Sequence, residues 1–263
     1  MTASANFFDS LSIILVFVGT VVFILAVFEV GFRVGEYLRP RYAKGADAPL
    51  GPMVGSTLAM LAFVLAITFS MAASRYDQRK QNLLAEVNAI ESAYLRADLL
   101  AEPQKTAVKR YLLEYVDIRL SGAEEGARER ALSRSLVLHD LLWAEVTSAV
   151  EENPTRLGAM MVQSVNDIVA IHERRMTYAV RQRIPPEIWF ALYAIAAFAM
   201  AAVGSQAGLS RSRRLAQVIP SALGFAMLMT LIVDLDRPAD IGQVKVTQSA
   251  MGDLKERMGG ASH

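Results

Sequence analysis

Four runs of mostly apolar residues dominate the hydropathy pattern of this chain. They cover residues 11–30, 52–73, 188–204 and 215–233. A bilayer core about 30 Å thick is crossed by about 20 apolar residues in a helix, so each run fits a transmembrane helix. No Lys or Arg precedes the first run, and the run is longer than the apolar core of a signal peptide. We therefore expect a retained membrane helix there.

Loop lengths predict how the four membrane helices are connected. Residues 31–51 join the first two runs and residues 205–214 join the last two, and links this short favour antiparallel hairpins. The N-terminus, the central region and the C-terminus are then expected on one side of the membrane. The predicted division is a hairpin over 1–74, an extramembrane helical domain over 75–187, a second hairpin over 188–235 and a C-terminal tail over 236–263.

The central region carries the pattern of amphipathic helices. Leu83, Val87, Ile90 and Tyr94 lie on one helical stripe, and the second membrane helix is therefore expected to continue to about residue 100. Similar stripes predict helices that begin at Pro103 and that cover 132–150 and 157–172, the last running toward the third apolar run. Because no run alternates as a strand would, the predicted fold class is all-α.

Composition agrees with membrane and extramembrane segments in one chain. Hydrophobic residues make up 53% and charged residues 20%, and the net charge of +1 gives no reason to expect nucleic acid as a partner. The sequence has no cysteine, which excludes disulfides, thiolate nucleophiles and cysteine-ligated metals. The partner that this composition implies is the lipid bilayer.

Charges near the membrane leave the orientation open. The short loops hold seven basic residues, and the positive-inside rule would place those loops in the cytoplasm. A similar number flank the membrane on the side of the central domain. The loop residues are Arg33, Arg39, Arg41, Lys44, Arg211, Arg213 and Arg214; the others are Arg75, Arg79, Lys80, Arg174, Arg175, Arg181 and Arg183.

No catalytic or cofactor-binding motif is present in the sequence. It contains no phosphate-binding loop, no nucleophile elbow and no zinc-protease motif. His139 and His172 each adjoin an acidic residue, but adjacent residues on a helix point about 100° apart and do not share a ligand face. We expect buried, hydrogen-bonded histidines rather than a metal site, while His263 carries no signal. Enzymatic activity is not expected.

The second apolar run has two distinctive faces. One carries a ridge of small residues, Gly55, Ala59, Ala62 and Ala66, which allows close approach of another helix. The other has hydroxyls at both ends and bulky apolar residues between them, which suits a pore with a hydrophobic constriction. The alternative is a stripe that packs or faces lipid, with serines bonded to their own helix. The pore-lining candidates are Ser56, Met60, Phe63, Ile67, Ser70 and Ser74.

Two groups of charges lie at the membrane boundaries. Glu29 and Arg33 have the spacing of a helical ion pair. Asp234 and Asp236 end the fourth run, where the helix dipole disfavours anions, so compensation is expected from Arg237 and from arginines such as Arg75. The two interpretations are a salt-bridge network at the membrane boundary and a charged vestibule or cation site.

The sequence resembles bacterial bestrophin-like membrane proteins over nearly its whole length. After Val246 it departs from the usual pattern of those proteins, with Thr247-Gln248-Ser249. The segments that carry the resemblance are residues 55–58, 69–77, 86–90, 93–96, 114–117, 185–189 and 234–238.

The resemblance implies a layout and an activity. Bestrophins are pentameric anion channels with four membrane helices, a cytosolic helical domain and a pore lined by the second membrane helix. Phe63 and Ile67 resemble, by position, the bulky apolar residues at the bestrophin neck, whereas Asp234 and Asp236 match the calcium-binding segment of bestrophins too briefly to be assigned that role. The sequence thus supports two hypotheses, an oligomeric anion channel in the bacterial inner membrane or a non-conducting scaffold or sensor.

Overall fold

The protein is described by a computed structural model that covers residues 10–42, 50–122, 128–181, 183–210, 215–237, 242–244 and 246–260. Six residues named from the sequence lie outside the described residues: Lys44, Arg211, Arg213, Arg214, Pro238 and His263. Helices are the only regular structure in the described part of the chain. They are α1 (Ile13–Tyr42), α2 (Leu50–Ala97), α3 (Gln104–Ser121), α4 (Arg128–Glu152), α5 (Arg156–Arg181), α6 (Pro186–Leu209), α7 (Leu215–Asp236) and α8 (Ser249–Gly260).

Four of these helices, α1, α2, α6 and α7, are long and apolar enough to cross a membrane. The prediction of an all-α chain with four such helices is therefore confirmed. α2 continues unbroken to Ala97, as the stripe from Leu83 to Tyr94 indicated. α6 extends to Leu209, beyond the predicted end at residue 204, because Gly204, Ser205 and Gln206 lower the hydropathy without breaking the helix.

The chain divides into two compact units. Unit 1 comprises residues 1–76, 183–237 and 241–244, and unit 2 comprises residues 77–182, 238–240 and 245–263. The core of unit 1 contains Ile24 and Phe28 of α1, Leu192 of α6 and Met229 of α7. These side chains are buried and pack closely against one another, as in other protein interiors.

The closest helix packing in unit 1 is between α1 and α6, and glycine makes it possible. A Cβ atom built on Gly31 would lie 2.3 Å from the carbonyl oxygen of Ala201, and one on Gly204 would lie 2.2 Å from that of Phe28. Gly35 and Gly208 make equally close approaches one turn further along. Two G-x-x-x-G segments therefore face each other, an arrangement that lets membrane helices meet at backbone distance. The pairing of these two segments was not predicted from the sequence.

Unit 2 has its own hydrophobic core. It is formed by the part of α2 that follows Tyr76 together with α3, α4, α5 and α8. Fully buried side chains come from each of the first four helices: Ile90, Leu112, Tyr115, Leu138, Leu142, Val165 and Ile168. This region therefore has the separate core that defines an independent compact unit.

The C-terminal segment contains a helix that the sequence analysis missed. α8 buries Met251, Leu254 and Met258 in the core of unit 2. The Tyr94 hydroxyl donates a hydrogen bond of 3.0 Å to the carbonyl oxygen of Met258. The apolar spacing of those three residues is helical, but a stripe of only three residues is a weak signal in a single sequence.

Candidate functional site

The first part of α2 has one buried stripe. Its members lie on a single helical face, and Leu61, Leu65 and Ala72 belong to the hydrophobic core of unit 1. Hydroxyl groups at two positions near this face bond back to the helix, Thr57 to the carbonyl oxygen of Val54 and Thr68 to that of Val64, both at 2.8 Å. The members of the stripe are Val54, Leu61, Leu65, Thr68 and Ala72.

The six pore-lining candidates lie on the opposite face of α2. At 3.6 residues per turn, the stripe from Ser56 to Ser74 points about 150° away from the buried stripe. Met60, Phe63 and Ile67 leave 57%, 65% and 46% of their surface uncovered by their own chain. Ser56, Ser70 and Ser74 are also exposed. Ser56 donates to the carbonyl oxygen of Met53 at 2.8 Å, the back-bonding that the alternative interpretation expected of these serines.

The ridge of small residues is a third face of the same helix. Gly55, Ala59, Ala62 and Ala66 are exposed, and nothing lies within 4 Å of a Cβ atom built on Gly55. The helical periodicity places this ridge about 90° from the candidate pore face. In the described structure the ridge thus remains uncovered by its own chain.

Glu29 and Arg33 form the ion pair that their spacing indicates. Arg33 Nε lies 3.1 Å from a Glu29 carboxylate oxygen. The Arg33 side chain is 76% exposed, and a pair of this kind contributes about 0.2–0.5 kcal/mol to helix stability. In the described structure the pair joins two residues of one helix.

Asp236 is held in a buried network at the end of α7. Its Oδ1 accepts a hydrogen bond of 2.6 Å from Arg75 Nη1 and one of 2.9 Å from the Ile184 backbone N–H. The Asp236 side chain is 4% exposed. A buried carboxylate is costly unless donors compensate it, and these two donors do so.

Asp234 and Arg237 complete this network through the backbone. The Asp234 carboxylate accepts one hydrogen bond from the Gln243 N–H and one from the Val244 N–H, each of 2.8 Å. Arg237 donates to the carbonyl oxygen of Leu11 at 2.6 Å. Together with the contacts of Asp236, these bonds connect the end of α7 to four other segments of unit 1. This is the arrangement that the salt-bridge interpretation expects.

A second polar cluster lies inside unit 2 and was not recognised as a cluster from the sequence. It brings together Glu86 of α2, Tyr115 and Arg119 of α3, His139 of α4, and His172 and Arg175 of α5. The two imidazole rings meet edge to face, with centroids 4.7 Å apart. The sequence predicts buried histidines. The members of this cluster are separated by up to 89 positions along the chain (86 to 175), so tertiary packing brings them together.

None of these groups has the composition of a metal site. Among the residues that the structure describes, no set of three or more His, Cys, Asp or Glu side chains could hold a metal ion. The polar cluster of unit 2 also contains two guanidinium groups, which repel a cation. The chemistry available to the exposed face of α2 is that of a surface for ions, lipid or another helix.

Comparison with known proteins gives one family and one fold. A family model described as a bestrophin-like domain matches residues 14–251. No curated protein matches the chain. A solved crystal structure, described as that of a membrane protein, is similar with a TM-score of 0.62 and 13% identity, covering 94% of this chain and 97% of that chain. At that identity the likeness establishes the shared fold alone.

Proposed function

This chain is a membrane protein of the bestrophin-like family, as the resemblance predicted, and on that premise we propose that it is an oligomeric anion channel whose pore is lined by its second membrane helix. One observation carries the proposal. The candidate pore face of α2 points away from the stripe that packs on the chain's own core. It is therefore free to face an axis shared with other copies of the chain.

The remaining faces of α2 support assembly around such an axis. The ridge from Gly55 to Ala66 lies about 90° from the candidate pore face, where a helix of a neighbouring copy would approach in a ring. Contacts between two different surfaces of identical chains generate closed rings when the rotation closes. A scaffold with α2 buried in a compact bundle, the alternative hypothesis, predicts a covered Phe63 and a covered ridge.

The residues of the candidate pore face suggest how ions would be controlled. Phe63 and Ile67 would form an apolar constriction, which resists ions because they lose hydration there. Ser56 at one end and Ser70 and Ser74 at the other would offer hydroxyls to hydrated ions. The preference for anions rests on the family resemblance.

We further propose that unit 2 lies in the cytosol of a bacterium, with the membrane helices in its inner membrane. This orientation follows the bestrophin layout and opposes the charge count of the short loops. Since α8 belongs to the core of unit 2, the C-terminus reports the side on which that unit lies. A C-terminal reporter that is active only in the cytosol is expected to be active, and inactivity would reverse the orientation.

Ion flux from purified protein tests the channel directly. We expect the full chain to form a homo-oligomer in detergent by light scattering, because a single chain provides one α2 and cannot enclose a pore. We expect chloride efflux from liposomes that contain the protein. A monomer, or no flux at any calcium concentration or pH, would contradict the proposal and favour the scaffold.

A further inference from the structure

We propose that the buried polar cluster of unit 2 is a proton-sensitive device: protonation of His139 or His172 loosens the packing of α2, α3, α4 and α5 around it. The cluster comprises Glu86, Tyr115, Arg119, His139, His172 and Arg175. The proposal concerns unit 2 alone and does not depend on ion conduction.

Hydrogen bonds determine which tautomer the neutral His172 ring adopts. The Tyr115 hydroxyl donates to Glu86 Oε1 at 2.8 Å and lies 3.4 Å from His172 Nδ1. Because the hydroxyl proton is used toward Glu86, His172 must donate from Nδ1 to the hydroxyl oxygen. Its Nε2 then carries the lone pair, and this is the atom that an added proton would reach.

Neither imidazole has an acceptor ready for that proton. Nε2 of His139 and Nε2 of His172 are buried and have no hydrogen-bond partner among the described residues. Only 6% of His139 and 2% of His172 is exposed. The charged, doubly protonated form of either ring would therefore carry a buried Nε2–H without an acceptor, which costs the desolvation free energy of a charged group.

The surroundings are already positive before any histidine is protonated. Glu86 is the one carboxylate inside the cluster, and it contacts both Arg119, at 3.2 Å, and Arg175. Glu173 on the neighbouring position of α5 is exposed and partly opposes this effect at His172. One anion faces two guanidinium groups, so a third cation in the cluster is repelled.

The pKa shifts follow from this arrangement. Burial, then His172, then Arg119 lower the pKa of His139 to about 4, and burial followed by Arg119 lowers that of His172. A histidine in an unfolded chain has a pKa of 6.5. Below that pH the histidines of an opened unit bind protons, while those of the closed unit stay neutral. The closed form of unit 2 therefore has its full stability above about pH 6.5 and loses stability as the pH falls toward about 4.

Hydrogen exchange of the full-length protein in detergent at pH 7.5 and 5.0 tests the device. After correction for intrinsic exchange rates, the opening equilibrium of amides in α3, α4 and α5 is expected to rise at least about 25-fold between pH 7.5 and pH 5.0 through His139 alone. The double variant H139Q/H172Q should show a much smaller rise. H263Q, which removes the third histidine of the sequence, should behave as the wild type. If the opening equilibrium rose equally in the wild type and in the double variant, the proposal would be overturned.

A measurement on the unmodified protein covers the case in which the double variant does not fold. The ¹⁵N chemical shifts of the imidazoles report protonation directly during a titration. Two buried rings are expected to stay neutral until amide protection in unit 2 is lost. Titration of all three rings near pH 6.5 with protection retained would overturn the proposal.

Discussion

At the scale of the residue, burial decides what each charge in this protein does. Asp236 is almost fully covered and holds two donors, one a guanidinium of α2 and the other the backbone N–H of Ile184. Glu29 and Arg33 have similar separation, but the arginine is largely exposed. In the first case removal of one partner leaves a poorly solvated charge, and in the second case water replaces the partner at little cost.

Replacement of Asp236 by Asn is therefore expected to be costly. The amide keeps the size of the side chain but leaves the Arg75 guanidinium without its anion. We expect the free energy of unfolding to fall by about 3 kcal/mol, measured by denaturant unfolding of the purified protein in detergent. E29Q is the matched control, since it breaks the exposed ion pair and should cost under about 0.5 kcal/mol. Equal losses in the two variants would contradict the assigned role of Asp236.

At the scale of the element, glycine decides which helices pair in unit 1. α1 and α6 meet where Gly31 and Gly35 face Gly204 and Gly208. Any side chain there would overlap a backbone atom of the other helix, so the helices would have to separate. Both G-x-x-x-G segments are visible in the sequence, but the motifs do not indicate that α1 and α6 pack against each other.

Substitution of Gly31 by Ala tests the close packing of α1 and α6. The added Cβ would overlap the Ala201 carbonyl, and overpacking of this kind costs about 1–3 kcal/mol. We expect a lower thermal unfolding midpoint in detergent. G19A is the control on the same helix, because a Cβ on Gly19 meets nothing within 4 Å. If G31A were as stable as G19A, the close approach of the two helices would be wrong.

Some helices could be predicted from the sequence alone and others could not. Apolar runs predict α1, α2, α6 and α7 because membrane helices must cover their length with apolar side chains. The stripe from Leu83 to Tyr94 predicts the continuation of α2, since its period is local. The apolar stripe of α8 consists only of Met251, Leu254 and Met258. Three positions are too few to predict from periodicity that this helix packs in the core of unit 2.

The candidate site was predictable only in part, for a physical reason. Local periodicity places the residues from Ser56 to Ser74 on one face of α2, and the structure adds that the opposite face is buried. The partners of Asp234 and the meeting of Glu86 with His172 depend on helices that are distant in sequence. Periodicity carries no information about such contacts.

At the scale of the whole molecule, the described part of the chain contains a membrane helix, α2, one face of which its own chain leaves uncovered. A conduction pathway along α2 would require several copies around a common axis. The sequence has no cysteine, so a single introduced thiol would be the only one in each chain. The chain is therefore suited to a test of which face of α2 lines the pathway.

The most direct test is chemical block of anion flux through single-cysteine variants in liposomes. F63C places a thiol on the candidate pore face. F198C places one on α6, where Phe198 is as exposed as Phe63 but lies outside α2, and it serves as the matched control. We predict that a negatively charged methanethiosulfonate reagent reduces chloride flux at least about tenfold in F63C, because the attached charge repels anions at the constriction. Flux through F198C is expected to stay unchanged. Flux through F63C that the reagent does not alter, or an equal loss in both variants, would contradict a pore lined by this face of α2.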